Sequence, residues 1–255
     1  MTRFLRNLGR RLLARLPEWA ERSVVIRSVV LLKELVFVDR PAHFYGQYAE
    51  DVLIDRLFAS QVDGVFVDVG CFHPFRYNNT YLLYRRGWRG VNIDLDEVKI
   101  AGFRWLRGND INICCAITGI RGTVPYYTPG AYSIVASLDR EHVQSFHHHS
   151  VRRVAAQGLD DVLAQTPYRD REIDLLNVDA EGHDLDVLQT LDFLRYRPKV
   201  VVVESFTSGL RELEATDLYR FLTDRGYSMV QWAGLSVIFA LRPAPMRTQA
   251  SDSLS

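Results

Sequence analysis

Beginning at Gly64, short runs of apolar and β-branched residues alternate with stretches whose apolar positions recur at helical spacing. That alternation restricts the fold more than any other feature of the sequence. GVFVDVG (64–70), GVNIDL (90–95), INICCAIT (111–118), IDLLNVD (173–179) and KVVVVESF (199–206) read as strands. NTYLLYRRG (79–87), EVKIAGFRWLRG (97–108), DDVLAQT (160–166), DLDVLQTLDF (184–193) and ATDLYRFLTDRG (215–226) read as helices between them. Strands this continuously apolar, alternating with helices, predict an α/β fold with a mostly parallel sheet buried on both faces. YSMVQWA and SVIFALR, separated by Gly234 and Leu235, predict a C-terminal antiparallel hairpin. The segment from Gly119 to about Gly158 is expected to be polar and irregular.

Three units are expected: an N-terminal helical extension (1–40), the α/β domain (41–242) and a disordered polar tail (243–255). In the first sixteen residues Phe4, Leu5, Leu8, Leu12 and Leu16 share one helical face, and five arginines occur with no acid. Such a helix can lie on an anionic membrane surface, cap the domain with a solvated basic face, or serve as a transit peptide. The formal net charge is zero, so nothing global points to nucleic acid. Cys71, Cys114 and Cys115 are odd in number and have no metal-binding spacing, which suits a reducing compartment. With neither a secretory leader nor a membrane-length apolar run, the expected location is the cytoplasm, with peripheral contact through residues 1–16.

In a sheet of this class, ligands bind outside the carboxyl ends of the strands, near the switch in strand order. Those ends carry Asp68 and Gly70, Asp94 and Leu95, Asp179 and Glu181, and Glu204. Asp94 follows Gly70 at a distance suited to an acid that accepts hydrogen bonds from both hydroxyls of a ribose. Both a nicotinamide dinucleotide and S-adenosylmethionine need such an acid. A dinucleotide site also needs G-x-G-x-x-G, so that a helix N-terminus can approach the pyrophosphate. Here Cys71, Phe72, His73 and Pro74 follow Gly70, and an acid stands inside the strand. S-Adenosylmethionine has no phosphate; it carries an ammonium and a cationic sulfur, which favour carboxylates and carbonyls.

Several segments resemble the FkbM family of S-adenosylmethionine-dependent methyltransferases: FYGQYAEDVLIDRLF (44–58), GVFVDVGCFHPFRYNNTYLLYRRGWRGVNIDLD (64–96), IDLLNVDAEGHDLDVLQTLDF (173–193) and PKVVVVESF (198–206). The most specific is VDAEGHDLDVL, beside an upstream Gly-Gln-x-x-Glu-Asp. The resemblance implies a class I, Rossmann-like methyltransferase fold and methyl transfer to a hydroxyl oxygen. Its acceptors would be sugars in surface polysaccharides, glycolipids or nodulation signals, or secondary-metabolite hydroxyls. By position it implies that Asp68 and Gly70 line the methionine end of the cofactor, and Asp94, with Leu95 beside it, the ribose. Gln47, Glu50 and Asp51 would fold over the site. His73-Pro74 stand where many members have another glycine, and Asn78, Asn79 and Thr80 can supply donors instead.

A hydroxyl nucleophile calls for a general base, and Asp179, Glu181, His183 and Glu204 are the candidates. His183 follows Asp179 by four residues, and a helix starting there would bring them together. Either His183 or Asp179 would then take the proton, while Asp179 and Glu181 could instead only cap that helix. A divalent metal on the acidic rim is the rival device, though not the favoured one. The His run FHHHS (146–150), with His142, lacks defined ligand spacing, so no metal residue is assigned. Tyr126, Tyr127, Tyr132 and Arg152 are expected to border the acceptor. An NAD-dependent oxidoreductase and a non-catalytic cofactor-binding module are the alternatives.

Overall fold

A computed structural model describes residues 43–129, 133, 135–143 and 150–242. The expected N-terminal extension, Tyr132, the His147–His149 run and the 243–255 tail lie outside the described residues. The strands are β1 (Val65–Val69), β2 (Arg89–Asp94), β3 (Ile111–Cys114), β4 (Ala116–Ile117) and β5 (Gly122–Thr128). After them come β6 (Ser150–Gln157), β7 (Leu175–Val178), β8 (Val200–Glu204), β9 (Tyr227–Ala233) and β10 (Ser236–Leu241). The α-helices are α1 (Glu50–Leu57), α2 (Tyr81–Arg85), α3 (Glu97–Leu106), α4 (Leu159–Ala164), α5 (Asp184–Gln189), α6 (Leu210–Glu214) and α7 (Asp217–Thr223).

Seven of these strands form one sheet in the order β3-β2-β1-β7-β8-β10-β9. The first five run parallel, and β10 is antiparallel to both β8 and β9. This is the mostly parallel Rossmann-like sheet with a C-terminal hairpin that the sequence predicts. Because the chain leaves β1 toward β2 and later returns to β7 on its other side, the order switches between β1 and β7. Loops diverge there and open a crevice.

Strand period two sorts the side chains. Val67, Val69, Val91, Ile93, Leu176, Val178, Val201 and Val203 enter one apolar core. Phe66, Leu175, Val200 and Val202 enter the other, with Ile54 of α1, Leu83 of α2 and Trp88. On that second face a polar row crosses four strands, since Asn112 pairs in register with Asn92, Asn92 with Asp68, and Asp68 with Asn177. Buried polar groups are tolerated only when bonded. Here Asn92 donates to Asn112 (2.8 Å) and Asn177 donates to Asp68 (2.9 Å).

Two expectations need correction. INICCAIT is not one strand: Cys115 donates its N–H to the Asp94 carbonyl (3.1 Å), and the chain leaves the large sheet for a small one, ordered β4-β6-β5. The zone from 119 to 158 is not irregular throughout, because β5 and β6 pair antiparallel from Gly122–Ala156 to Thr128–Ser150. Pro125 inside β5 and a mixed outward face of Thr123, Pro125, Val151, Arg153 and Ala155 hid its alternation. The sequence reading also passed over the short helix α6.

Candidate active site

Outside the carboxyl ends of β1, β2, β7 and β8 lies a cavity of about 300 Å³, within the size range of small-molecule sites. All ten site residues expected from the sequence line it: Gln47, Asp68, Gly70, Asn79, Asp94, Leu95, Asp179, Glu181, His183 and Glu204.

Gly70 explains the close approach of two strand ends. Its φ is +76°, and a Cβ there would lie 1.8 Å from the carbonyl oxygen of Asp179. The chain can therefore pass only as glycine. Its N–H donates to the Ile93 carbonyl (2.9 Å), and the Asp179 N–H donates to Val69 (2.9 Å), which brings the ends of β1, β2 and β7 to one level.

Asp68 is buried, and three protein donors hold its carboxylate: Thr80 Oγ1 (2.9 Å), Asn78 Nδ2 (3.2 Å) and Asn177 Nδ2 (2.9 Å). Burial raises its pKa, opposed by the Arg107 guanidinium and these three bonds. Asp68 thus anchors the 78–80 loop from within. The loop's next member, Asn79, donates Nδ2 to Asn177 (3.0 Å), while its buried Oδ1 has no hydrogen-bond partner among the described residues.

Asp94 is 4 % exposed. It accepts from the Asp96 N–H (2.9 Å), the Phe72 N–H (3.2 Å) and the buried Lys99 ammonium (3.2 Å). A carboxylate accepts about four bonds, so the expected pair of ribose hydroxyls is reduced to one open position, with the Lys99 ammonium beside it. Beyond Asp94 the lining turns apolar, with Leu95, Ala116, Ile117, Ala136 and Leu138. The small sheet supplies part of this end.

Upstream, Tyr45, Gly46 and Gln47 pass over the 78–80 loop, with the Asn78 N–H donating to the Tyr45 carbonyl (3.0 Å). Glu50 accepts from the Gln47 and Tyr48 N–H groups, and Asp51 accepts from the Tyr45 N–H (2.7 Å). These two buried carboxylates shape the segment, while Gln47 and Tyr48 line the cavity. Burial raises the Asp51 pKa.

The carboxylates of β7 and β8 form the acidic wall. Asp179 lines the cavity, crowded by the other carboxylates yet exposed to the water inside it. Burial, then the charges of Glu204, Asp184, Glu181 and Asp68, push its pKa well up, and cavity water tempers the first of these. Glu204 is pushed up to about 8 by burial and by Glu181 and Asp184, with a hydrogen bond to Asp179 working against the rise. Two carboxyls so placed titrate as a pair, the charge of each strengthening the other's hold on a proton. The buried Oε2 of Glu204 has no hydrogen-bond partner among the described residues. Asp184, raised to about 7 mainly by burial, accepts from the Glu204 N–H (3.1 Å) and ties α5 to β8.

The expected Asp179–His183 pair is not the one made. The helix starts at Asp184, after a turn in which Glu181 (φ 51°) and Gly182 (φ 92°) are left-handed. Nδ1 of His183 lies 2.9 Å from Asp186 instead. The N-cap residue, His183, makes no side-chain cap hydrogen bond. Tyr126, Tyr127 and Arg152 do not line the cavity; Tyr126 packs in the small sheet's core, and Val135, Ala136 and Leu138 face the site from this zone. Among the described residues no three His, Cys, Asp or Glu side chains form a metal-ligand group. Sequence reasoning missed Tyr48, Lys99, Asn177 and Phe206, all in the lining. The rarity of lysine, three among thirty-one basic residues, was the available signal for Lys99.

The family model for the methyltransferase FkbM domain matches residues 68–229, more than half of the chain. No curated protein matches significantly. Among solved structures, a methyltransferase from Geobacter sulfurreducens is 16 % identical, with 93 % of this chain and 96 % of that one covered and a TM-score of 0.42. A TehB-like SAM-dependent methyltransferase from Corynebacterium glutamicum is 12 % identical, with 89 % and 100 % covered and a TM-score of 0.40. An O-methyltransferase from Bacillus cereus in complex with SAH is 13 % identical, with 84 % and 96 % covered and a TM-score of 0.40. With strand-end glycine, acidic wall and family match in agreement, the chain belongs to the FkbM family of methyltransferases, whose methyl donor is S-adenosylmethionine.

Proposed function

We propose that the enzyme methylates a hydroxyl oxygen of a sugar in a glycan or glycolipid, using the Asp179–Glu204 pair as general base. The observation that carries this reading is the pair itself. A carboxyl raised to about 8, with a buried oxygen lacking a partner, is matched to taking a hydroxyl proton near neutral pH.

The lining suits S-adenosylmethionine and does not suit a dinucleotide. It contains Glu50, Asp68, Asp94, Asp179, Glu181 and Glu204, and its one lysine is tied to Asp94. A diphosphate would meet this wall unpaired. The orphaned Oδ1 of Asn79 is an acceptor suited to an ammonium group. When bound, S-adenosylmethionine supplies an electrophilic methyl on a cationic sulfur. Gly70 and Asn79 would hold its methionine end, Asp94 its ribose, and Leu95 with Ala116, Ile117 and Leu138 its adenine. These residues exclude water and fix orientation, which by itself lowers the barrier of a displacement. Once Glu204 has released its own proton to solvent, its Oε2 receives the hydroxyl proton and shares it with Asp179, while Glu181 keeps the pair's affinity for that proton high.

The acceptor class rests on the family resemblance together with this acidic, hydroxyl-accepting wall. The cytoplasm is the proposed compartment, with residues 1–16 as a peripheral membrane contact. Among the described residues no helix is long and apolar enough to cross a membrane. The test is incubation with methyl-labelled S-adenosylmethionine and fractionated surface glycans or lipid-linked saccharides. Label is expected on a sugar oxygen, and Glu204→Gln should lower turnover roughly 10²–10⁴-fold with little change in product-cofactor affinity. Label confined to non-saccharide metabolites would remove the sugar from the proposal.

A further inference from the structure

Two aromatic residues at the cavity mouth take no part in the steps above. Tyr48 and Phe206 both line the cavity, and they are 46 % and 60 % exposed. Large exposed aromatics beside a reactive wall offer apolar surface that a ligand can cover.

Both are fixed to the same feature, the β9–β10 turn. A Cβ on Gly234 would lie 2.1 Å from the Tyr48 ring, so the ring rests directly on that turn. The Ser205 N–H donates to the Leu235 carbonyl (2.8 Å), which anchors the residue before Phe206 to the same place. The Tyr48 N–H is held by Glu50 Oε2 (2.5 Å). Glu204, the end of β8, stands two residues before Phe206, so this half of the aromatic lip and the base share one short stretch of chain.

Charge makes the second half of the argument. The wall beyond the lip is Asp179, Glu181 and Glu204, and among the described residues no arginine lines the cavity. The Lys99 ammonium is 5 % exposed and bound to Asp94. An acceptor ring bearing a carboxylate or phosphate near its reacting hydroxyl would face like charge, and the basic groups among the described lining residues, Lys99 and His183, are already paired with Asp94 and Asp186. A neutral ring, or one carrying an ammonium, meets acceptors for its hydroxyls and an apolar surface for its C–H face.

Resting on the sugar-acceptor reading above, we infer that the residue methylated is an uncharged or amino-bearing pyranose, seated against Tyr48 and Phe206, and that uronic acids and sugar phosphates are excluded from this subsite.

The probes are methyl glycosides of neutral hexoses, hexosamines and hexuronic acids in gluco, galacto and manno configurations. Each is titrated against the full chain with S-adenosylhomocysteine bound, by ligand-observed NMR. At least one neutral or amino glycoside is expected to bind about 10-fold or more tightly than the uronide of the same configuration. Phe206→Ala, at an exposed position, should weaken that binding about 3- to 10-fold without changing S-adenosylhomocysteine affinity, and Tyr48→Ala provides the second variant. Uronides binding equally well would overturn the charge selection and leave the sugar acceptor standing. Unchanged binding in both variants would overturn the aromatic lip. If no glycoside of any class bound, the sugar reading would fall and this inference with it.

Discussion

Gly70 shows how a single missing side chain can decide a site. Its bare Cα lets the end of β1 pass within contact of the Asp179 carbonyl, at a φ that other residues adopt only with strain. Gly70→Ala would force those strand ends apart. Overpacking and left-handed strain together should destabilise by at least about 2 kcal/mol, a fall in Tm of roughly 4–8 °C for a chain of this size. S-Adenosylhomocysteine affinity should fall with it. A thermal melt and a titration on the same sample check both, and a variant as stable and as tight as the parent would refute the account. The position was legible because glycine after an apolar run has few explanations. His183 was less legible: four-residue spacing suggests one helical face, but the left-handed backbone at Glu181 and Gly182 delays the helix and sends the imidazole to Asp186.

At the scale of elements, the organising piece is the link from α3 to the 78–80 loop. Arg107, just past the end of α3, is fully buried and donates to Asp110 (2.9 Å), Thr80 Oγ1 (3.0 Å) and Asn78 Oδ1 (3.2 Å). Its guanidinium also lies over Phe66, Tyr84 and Phe103. Burial raises the Asp110 pKa while Arg107 lowers it, so each group depends on the other remaining. Removing one partner of a buried pair costs about 3–5 kcal/mol, because the other is left uncompensated. Arg107→Met is therefore expected to lose stability of that order in urea unfolding. A loss under about 1 kcal/mol would show that the pair is not what holds the loop. None of this network could be read from the sequence, since Arg107 is one of many arginines and its partners are distant in the chain. Parallel strands and their helices were readable because burial on both faces imposes near-continuous apolar runs. The β5–β6 hairpin was not, because its exposed face carries residues that resemble a loop.

Over the whole molecule, the acidic residues tune stability in one direction. Each buried or partly buried carboxylate with a resolved shift is moved upward: Asp51, Asp68, Asp110, Asp160, Asp179, Asp184 and Glu204. For Glu204 the folded value is about 8 against an ordinary 4.5, and for Asp184 about 7 against 3.8. Between each pair of values the folded chain holds a proton that the unfolded chain has released. Stability is then full below the unfolded value and is lost as pH rises through the folded one. The ligand-free enzyme should therefore be more stable at pH 6 than at pH 8, with each such proton contributing a slope of at most about 1.4 kcal/mol per pH unit. Glu204→Gln removes one of these protons and should flatten the dependence between pH 6 and 8. A cationic ligand acts the other way, since an ammonium near this wall favours the ionised carboxylates. S-Adenosylmethionine, cationic at its sulfur, should accordingly bind more tightly at pH 8 than at pH 6 and release protons as it binds. Calorimetry in two buffers of different ionisation enthalpy measures that release directly. Proton uptake instead of release, or a ligand-free stability that rises toward pH 8, would mean that the wall is already ionised and that Asp179 and Glu204 share no proton.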